Sequence, residues 1–209
     1  NCISCHRVGG YGPFPLTTFQ EVQKRGKFVA HVSQTKYMPP WKADPSFSHF
    51  KNERILTDNE INQIQLWVVQ GMKRGEVQPS YSPKNNSIES AQPDLVYRMN
   101  RPFQLSSKGI EDYRFFHVPT NLEKDVYISA IAFVAGNKRY VHHSRIMVDT
   151  SGQTAGIDGL SEFDPRSRTF QSQPLMDEFL YGWVPGNIPV AYPSGSAKLI
   201  PKGADLIFN

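Results

Sequence analysis

The sequence predicts a multidomain protein in which a small all-α unit is followed by an all-β antiparallel sandwich. Up to about residue 75, apolar positions recur at helical spacing between loops rich in Gly and Pro. From residue 94, short runs of strand-forming residues alternate with turns. Between them, 76–93 contains three prolines and four serines without periodicity, which is typical of a linker. The predicted domains are therefore 1–75 and 94–209.

Two helices are predicted in the first unit. The first covers 19–34 and is weakened by Gly26. The second covers 57–71, where Thr57 and Glu60 have the spacing of a capping box. Its apolar residues recur at helical spacing: Ile61, Ile64, Trp67 and Val68.

Five strands are predicted in the second unit, over the runs LVYRM, YRFFHV, DVYISAIAFV, RYVHHSRIMV and ADLIFN. The stretches YGWVPGN and YPSGSAKLIPKG are expected to be ordered loops, because Gly and Pro interrupt them. Strands of this length and spacing favour an antiparallel sandwich.

The composition argues against a nucleic-acid partner, a transmembrane segment and a structural disulfide. The net charge is +4, and the 23 Lys and Arg residues are scattered, so no nucleic-acid partner is predicted. No apolar run approaches the ~20 residues of a membrane span, so no transmembrane segment is predicted in this chain. Both cysteines lie within the first five residues, so no structural disulfide can brace the rest.

The opening CISCH is the chemical motif with the clearest meaning. C-x-x-C-H is the attachment site of haem c, in which Cys2 and Cys5 form thioethers and His6 binds the iron. A thioredoxin-like redox pair would need a βαβ unit, which is absent from the pattern. A zinc site would need two further ligands at similar spacing, and the nearest histidine is His31.

The second iron ligand is predicted to be Met38, in the loop YMPPW that Pro39 and Pro40 stiffen. Met72 and His31 are the alternatives, and an ordinary core methionine is the other interpretation of Met38.

The surroundings of the haem iron can also be predicted. A loop carbonyl near Pro13 is expected to accept a hydrogen bond from the ring N–H of His6 and to orient it. Phe14 and Trp67 are candidate walls of the haem pocket, or simply core residues.

The adjacent His142 and His143 are possible ligands of a second metal, because imidazole suits copper, but the dipeptide alone favours a partly exposed pair without a ligand. On a regular strand these two side chains would point to opposite faces. They could share one metal only where the strand is bulged or strongly twisted. Otherwise the pair is an exposed dipeptide without a ligand.

Residues 1–75 resemble a class I cytochrome c domain in their CISCH motif, Gly-Pro loop, methionine loop and final helix. That family begins with a helix before the haem motif, whereas only Asn1 precedes it here. The leading helix is therefore expected to be missing from this chain.

Residues 94–209 resemble the N-terminal domain of copper type II ascorbate-dependent monooxygenases, relatives of peptidylglycine hydroxylating monooxygenase and dopamine β-monooxygenase. The resemblance lies in the HH pair and the GW-x-PG loop. It implies a jelly-roll-like fold and one copper at His142 and His143. The family's third histidine and second copper domain would follow Asn209, so the copper site is expected to be incomplete, unless His117 substitutes.

The expected function is that of a haem c electron-transfer protein that supplies electrons to a copper, O2-dependent monooxygenase. The alternative is a non-enzymatic electron-transfer subunit, with the second unit as a docking module. A sugar- or peptide-binding sandwich with haem as a sensor is a weaker third interpretation. The resemblance implies a redox partner protein and a periplasmic or extracytoplasmic location in a bacterium.

Overall fold

The computed structural model describes residues 1–50, 53–76, 92–107, 109–168, 179–187 and 189–209. Backbone contacts divide the chain into two compact units, Asn1–Ser82 and Pro83–Asn209. The division falls within the predicted linker 76–93. Most of that linker lies outside the described residues, so the linker itself stays a prediction.

The predicted fold class, an all-α cytochrome c domain followed by an all-β jelly-roll-like sandwich, is wrong. The described part of the chain is mixed, with three α-helices, two 3-10 helices and eight short strands in antiparallel sheets. Loops connect elements of only two to twelve residues. Many helices and strands predicted from periodicity in the sequence are therefore longer than the helices and strands of the structure.

The three helices lie in the first unit and are α1 (Phe19–Lys24), α2 (Gly26–Gln34) and α3 (Asp58–Val69). The predicted helix 19–34 is split, because Arg25 leaves the helical conformation with φ −116° and ψ 9°. A Cβ at Gly26 would lie 2.3 Å from Sδ of Met72. The missing side chain at 26 thus lets α2 begin in close contact with Met72.

The helix predicted at 57–71 is confirmed. The Thr57 side chain accepts from the backbone N–H of Glu60, whose carboxylate accepts from the N–H of Thr57, so the capping box is complete. Ile61 is the member of the predicted apolar face that is buried. Ile64, Trp67 and Val68 are only half-buried, which leaves part of an apolar face open.

The second unit contains the strands. They are β1 (Phe116–Val118), β2 (Val126–Ile128), β3 (Ala130–Ile131), β4 (Ser144–Asp149), β5 (Phe179–Trp183), β6 (Val190–Ala191), β7 (Lys198–Ile200) and β8 (Asp205–Phe208). Among the described residues they form one four-stranded sheet, ordered β1-β8-β4-β5, and the separate pairs β2-β7 and β3-β6. All of these pairings are antiparallel.

Several predicted strands are shorter than expected or absent. The run LVYRM forms no strand, and RYVHHSRIMV is extended only from Ser144. Conversely, the predicted loops contribute Tyr181–Trp183 to β5 and Lys198–Ile200 to β7. The final run is confirmed as β8. One four-stranded sheet with two short ladders, in the residues described, is not a pair of facing jelly-roll sheets.

Strand β4 forms the centre of the second unit. It pairs with β5 on one side and with β8 on the other. Met147 of β4 packs in a core cluster with Phe115, Ile157 and Ile207, and Leu160 covers this cluster. Across the described segments, no helix is long and apolar enough to cross a membrane.

We expect Ile207→Ala to lower the free energy of unfolding by about 2–5 kcal/mol, because Ile207 is fully buried and alanine leaves a cavity. Ile110→Ala is the matched control, since Ile110 is 74% exposed, and should change it by less than about 0.5 kcal/mol. Urea unfolding measures both. Equal losses for the two variants would contradict the position of the core.

Candidate functional site

The CISCH motif forms a single tight turn. The backbone N–H groups of Cys5 and His6 both donate to the carbonyl of Cys2, at 3.2 and 2.9 Å. The two thiols are free rather than joined in a disulfide. The turn therefore presents two available thiols and an imidazole within one short segment, as covalent attachment of haem requires.

The imidazole of His6 has a defined orientation. Its Nδ1 lies 2.9 Å from the carbonyl oxygen of Phe14. Because a carbonyl only accepts, Nδ1 must carry the proton, which leaves the lone pair of Nε2 for a metal. The carbonyl that the sequence predicted near Pro13 is thus supplied by the next residue.

The Gly-Pro loop packs closely around this imidazole. A Cβ at Gly12 would lie 2.6 Å from Nδ1 of His6 and 3.0 Å from its Cα. The Phe14 ring lies 4.9 Å from the imidazole, centroid to centroid, and the Arg25 guanidinium lies 4.3 Å from the Phe14 centroid. The backbone N–H of Leu16 closes the loop by donating to the His6 carbonyl at 2.9 Å. Phe14, predicted as a pocket wall, therefore contacts the candidate iron ligand directly.

An open cleft of about 360 Å³ lies between the start of the motif and α3. Its lining is Asn1, Cys2, Leu56, Glu60, Gln63, Ile64 and Trp67. The apolar members of this lining are the half-buried residues of the α3 face and its flank. A flat apolar group joined to Cys2 would cover them, whereas Cys5, His6 and Met38 are not among the residues that line this cleft.

The candidate axial ligands differ in what holds them. Met38 is half-buried, and its backbone N–H donates to the carbonyl of Val32 at 3.0 Å, so it is tied to the end of α2. The sulfur of Met72 is packed against Gly26. His31 lies on the exposed face of α2. Met72 therefore already has a packing role, and Met38 stays the predicted ligand.

A separate feature of the first unit is the indole of Trp41. Its Nε1–H is buried and has no hydrogen-bond partner within the described segments. Leaving such a donor unpaired costs about 1–3 kcal/mol. Trp41 follows the Met38 loop directly, and its ring packs edge-on against Phe50 at 6.2 Å. A haem propionate is a group that could accept from this buried donor.

The histidine pair of the second unit is not on a strand. Tyr140 and Val141 both donate to the carbonyl of Asn137 at 3.2 Å, which forms a turn, and β4 begins only at Ser144. The objection that a regular strand separates the two side chains therefore does not apply. The rings of His142 and His143 lie 5.7 Å apart, centroid to centroid. The two rings are inclined at 60° to each other.

Two side chains that the sequence did not single out surround this pair. Glu111 Oε1 lies 3.4 Å from Nδ1 of His142, and Oε2 accepts from the Tyr113 hydroxyl at 2.8 Å. The Tyr113 ring lies 5.5 Å from that of His143. The hydrogen bond from Tyr113 to Glu111, followed by the carboxylate's charge, raises the pKa of Tyr113, so this phenol stays protonated.

His117, the substitute third ligand, is engaged elsewhere. Its Nε2 lies 2.9 Å from Oδ2 of Asp205, and its backbone N–H donates to Asp158. It also lines a separate cavity of about 220 Å³. In the part of the chain that is described, no three His, Cys, Asp or Glu side chains are grouped to hold a metal. The copper site would have to be completed by water or another ligand.

Comparison with known proteins gives no relative. No protein-family model matches the chain, and no curated protein and no solved structure matches it. The candidate sites therefore rest on their own residues and geometry.

We expect Gly12→Ala to lower the free energy of unfolding by about 1–3 kcal/mol, because the new Cβ would overlap the His6 ring and backbone. The control is Gly75→Ala, since a Cβ at residue 75 meets nothing within 4 Å. Urea unfolding of the two variants measures the difference. If both unfold like the wild type, the loop does not hold His6 in this position.

Proposed function

We propose that the chain is a haem c electron-transfer protein. Cys2 and Cys5 would hold one haem through thioethers, with His6 and Met38 as the axial ligands of iron. The observation that carries this is the hydrogen bond from His6 Nδ1 to Phe14, which leaves Nε2 available beside two free thiols. The open apolar cleft next to Cys2 supports it.

A bound haem would supply a one-electron redox centre. The residues of this chain would determine how the haem is attached, which atoms bind its iron and what its reduction potential is. Cys2 and Cys5 would each add an S–H across a haem vinyl group, with the sulfur bonding to one vinyl carbon and the hydrogen going to the other. Orientation of His6 by Phe14 fixes which nitrogen binds. A His/Met ligand pair raises the reduction potential relative to two histidines.

We further propose that His142 and His143 bind a copper that receives the haem's electron, in a protein whose complete activity is O2-dependent monooxygenation. The support is the 5.7 Å separation of the two rings and their position outside a regular strand. The resemblance of the HH pair and the GW-x-PG loop adds to this. The redox partner protein and a periplasmic or extracytoplasmic location in a bacterium belong to the same proposal.

A second candidate is a non-enzymatic electron-transfer subunit whose histidine pair binds no metal. One observation favours it: Glu111 already contacts His142, and Tyr113 already packs on His143. Both histidines therefore have side-chain contacts in the absence of a metal ion. Copper content separates the two functions.

We expect one iron and one copper per chain in protein made with haem maturation and supplied with copper. Elemental analysis measures both. Mass spectrometry of the denatured chain should show haem still attached, and Cys2→Ala/Cys5→Ala should release it. The variant His142→Ala/His143→Ala should keep its iron and lose its copper.

Each result separates the candidates. Iron without copper would overturn the copper proposal and leave the electron-transfer subunit. Haem that is released from the denatured wild type would contradict thioether attachment. If both metals are present, reduced haem should be reoxidised by O2 more slowly in the His142→Ala/His143→Ala variant than in the wild type.

We expect Met38→Ala to open one axial position of the iron, because alanine has no donor atom. The reduced variant should bind carbon monoxide readily, whereas the wild type should resist it. Met72→Ala is the matched control, because its sulfur packs against Gly26, and it should keep the wild-type spectrum. The reverse pattern would assign the ligand to Met72.

A further inference from the structure

We propose that the cavity beside β1 binds a free amino acid with an apolar side chain. The cavity has a volume of about 220 Å³ and lies within the second unit. Three segments form it, namely 99–103, the start of β1 and 158–159. None of the residues proposed to bind iron or copper lines it, so the inference is independent of the proposed function.

The cavity holds a cation that has no partner. Nη2 of Arg101 lies 3.9 Å from the position that a Cβ would take at Gly159, which places the guanidinium at the Gly159 wall. Among the described residues, Arg101 has no hydrogen-bond or ion-pair partner. A guanidinium is always charged and offers two parallel N–H donors that match a carboxylate. Arg101 is therefore available to bind a carboxylate group.

The same cavity holds a carboxylate that is only partly used. Oδ1 of Asp158 accepts from the backbone N–H of His117 at 3.1 Å, which fixes this side chain against β1. Its Oδ2 has no partner in the part of the chain that is described, and no ion pair joins Asp158 to Arg101 there. Asp158 can therefore accept from an ammonium group.

The remaining walls are largely apolar. The rings of Phe103 and Phe116 meet edge-on, with centroids 5.5 Å apart and an interplanar angle of 62°. The guanidinium of Arg114 lies 4.7 Å from the Phe103 centroid, so that ring is held from a second side. Both phenylalanines line the cavity. They offer an aromatic surface on which an apolar side chain can pack.

The wall formed by β1 is already in place without a ligand. Nε2 of His117 lies 2.9 Å from Oδ2 of Asp205, and the backbone N–H of Thr120 donates to Oδ1 of Asp205 at 3.1 Å. His117 is also paired with Ile207 in the β1–β8 ladder. Since His117 already has a carboxylate partner, Arg101 and Asp158 are the charged side chains of this cavity that are left for a ligand.

These features define the class of ligand. A ligand with only a carboxylate would leave Asp158 unmatched, and one with only an ammonium would leave Arg101 unmatched. A zwitterion pairs with both, and its apolar side chain can pack on the two phenylalanine rings. Pockets for drug-sized ligands measure about 300–1,000 Å³. The smaller volume here limits the ligand to a molecule of the size of an amino acid.

Isothermal titration calorimetry of the full chain with three probes tests the inference. L-Phenylalanine carries both charges, phenylpropionate lacks the ammonium and phenethylamine lacks the carboxylate, while all three have the same ring. We expect L-phenylalanine to bind about 10–100-fold more tightly than either analogue, because each analogue loses a charge-assisted hydrogen bond. Equal binding of the three probes would overturn the inference.

Two variants should each remove one of these interactions. Arg101→Ala should raise the Kd for L-phenylalanine about 10–100-fold and leave the Kd for phenethylamine unchanged. Asp158→Asn keeps an oxygen that can accept from the His117 N–H but removes the charge. It should weaken L-phenylalanine by a similar factor and leave phenylpropionate unchanged. Loss of structure would weaken all three probes together, so this crossed pattern reports on recognition.

Arg98→Ala is the matched control, since Arg98 is an exposed arginine close to Arg101 in sequence that does not line the cavity. It should bind all three probes like the wild type. If Arg98→Ala weakens L-phenylalanine as much as Arg101→Ala does, the site is not this cavity. If L-phenylalanine does not bind the wild type up to its solubility limit, the inference is overturned, whatever the iron and copper contents prove to be.

Discussion

The hydrogen bond from His6 Nδ1 to the Phe14 carbonyl is the contact that orients the imidazole of the first unit. It requires the CISCH turn on one side and the Gly-Pro loop on the other. The loop can approach because residue 12 has no side chain, and its end is tied back to the His6 carbonyl. Because Nδ1 of His6 donates to the Phe14 carbonyl, only Nε2 is left with a lone pair that can bind a metal.

The helices around this contact are arranged to leave an apolar surface uncovered. Met72 fills the space beside Gly26, which brings α2 close to the segment that follows α3. The remaining apolar residues of α3 line a cleft rather than a closed core. A buried indole N–H on Trp41 adds an unmet donor.

In the second unit, the placement of His142 and His143 depends on the residue at which β4 begins. A turn at Asn137 uses the amides of Tyr140 and Val141, so the strand starts after the two histidines. Both rings can then lie near each other. The residues that restrain them, Glu111 and Tyr113, come from the irregular segment before β1. A negative charge next to His142 favours a cation at this site, whereas exposure weakens that attraction.

The sequence by itself determined the features whose cause is local. The capping box of α3 and the final strand depend on residues within a few positions of one another, whereas the haem attachment expected at CISCH stays a prediction. Local spacing could not decide where the helix 19–34 breaks or how far each strand extends, because those limits depend on contacts such as Gly26 with Met72. The expected jelly-roll sandwich failed for the same reason. Only the tertiary structure identified Glu111, Tyr113 and the engagement of His117 by Asp205. These contacts join residues that are far apart in the chain, and no periodic pattern encodes them.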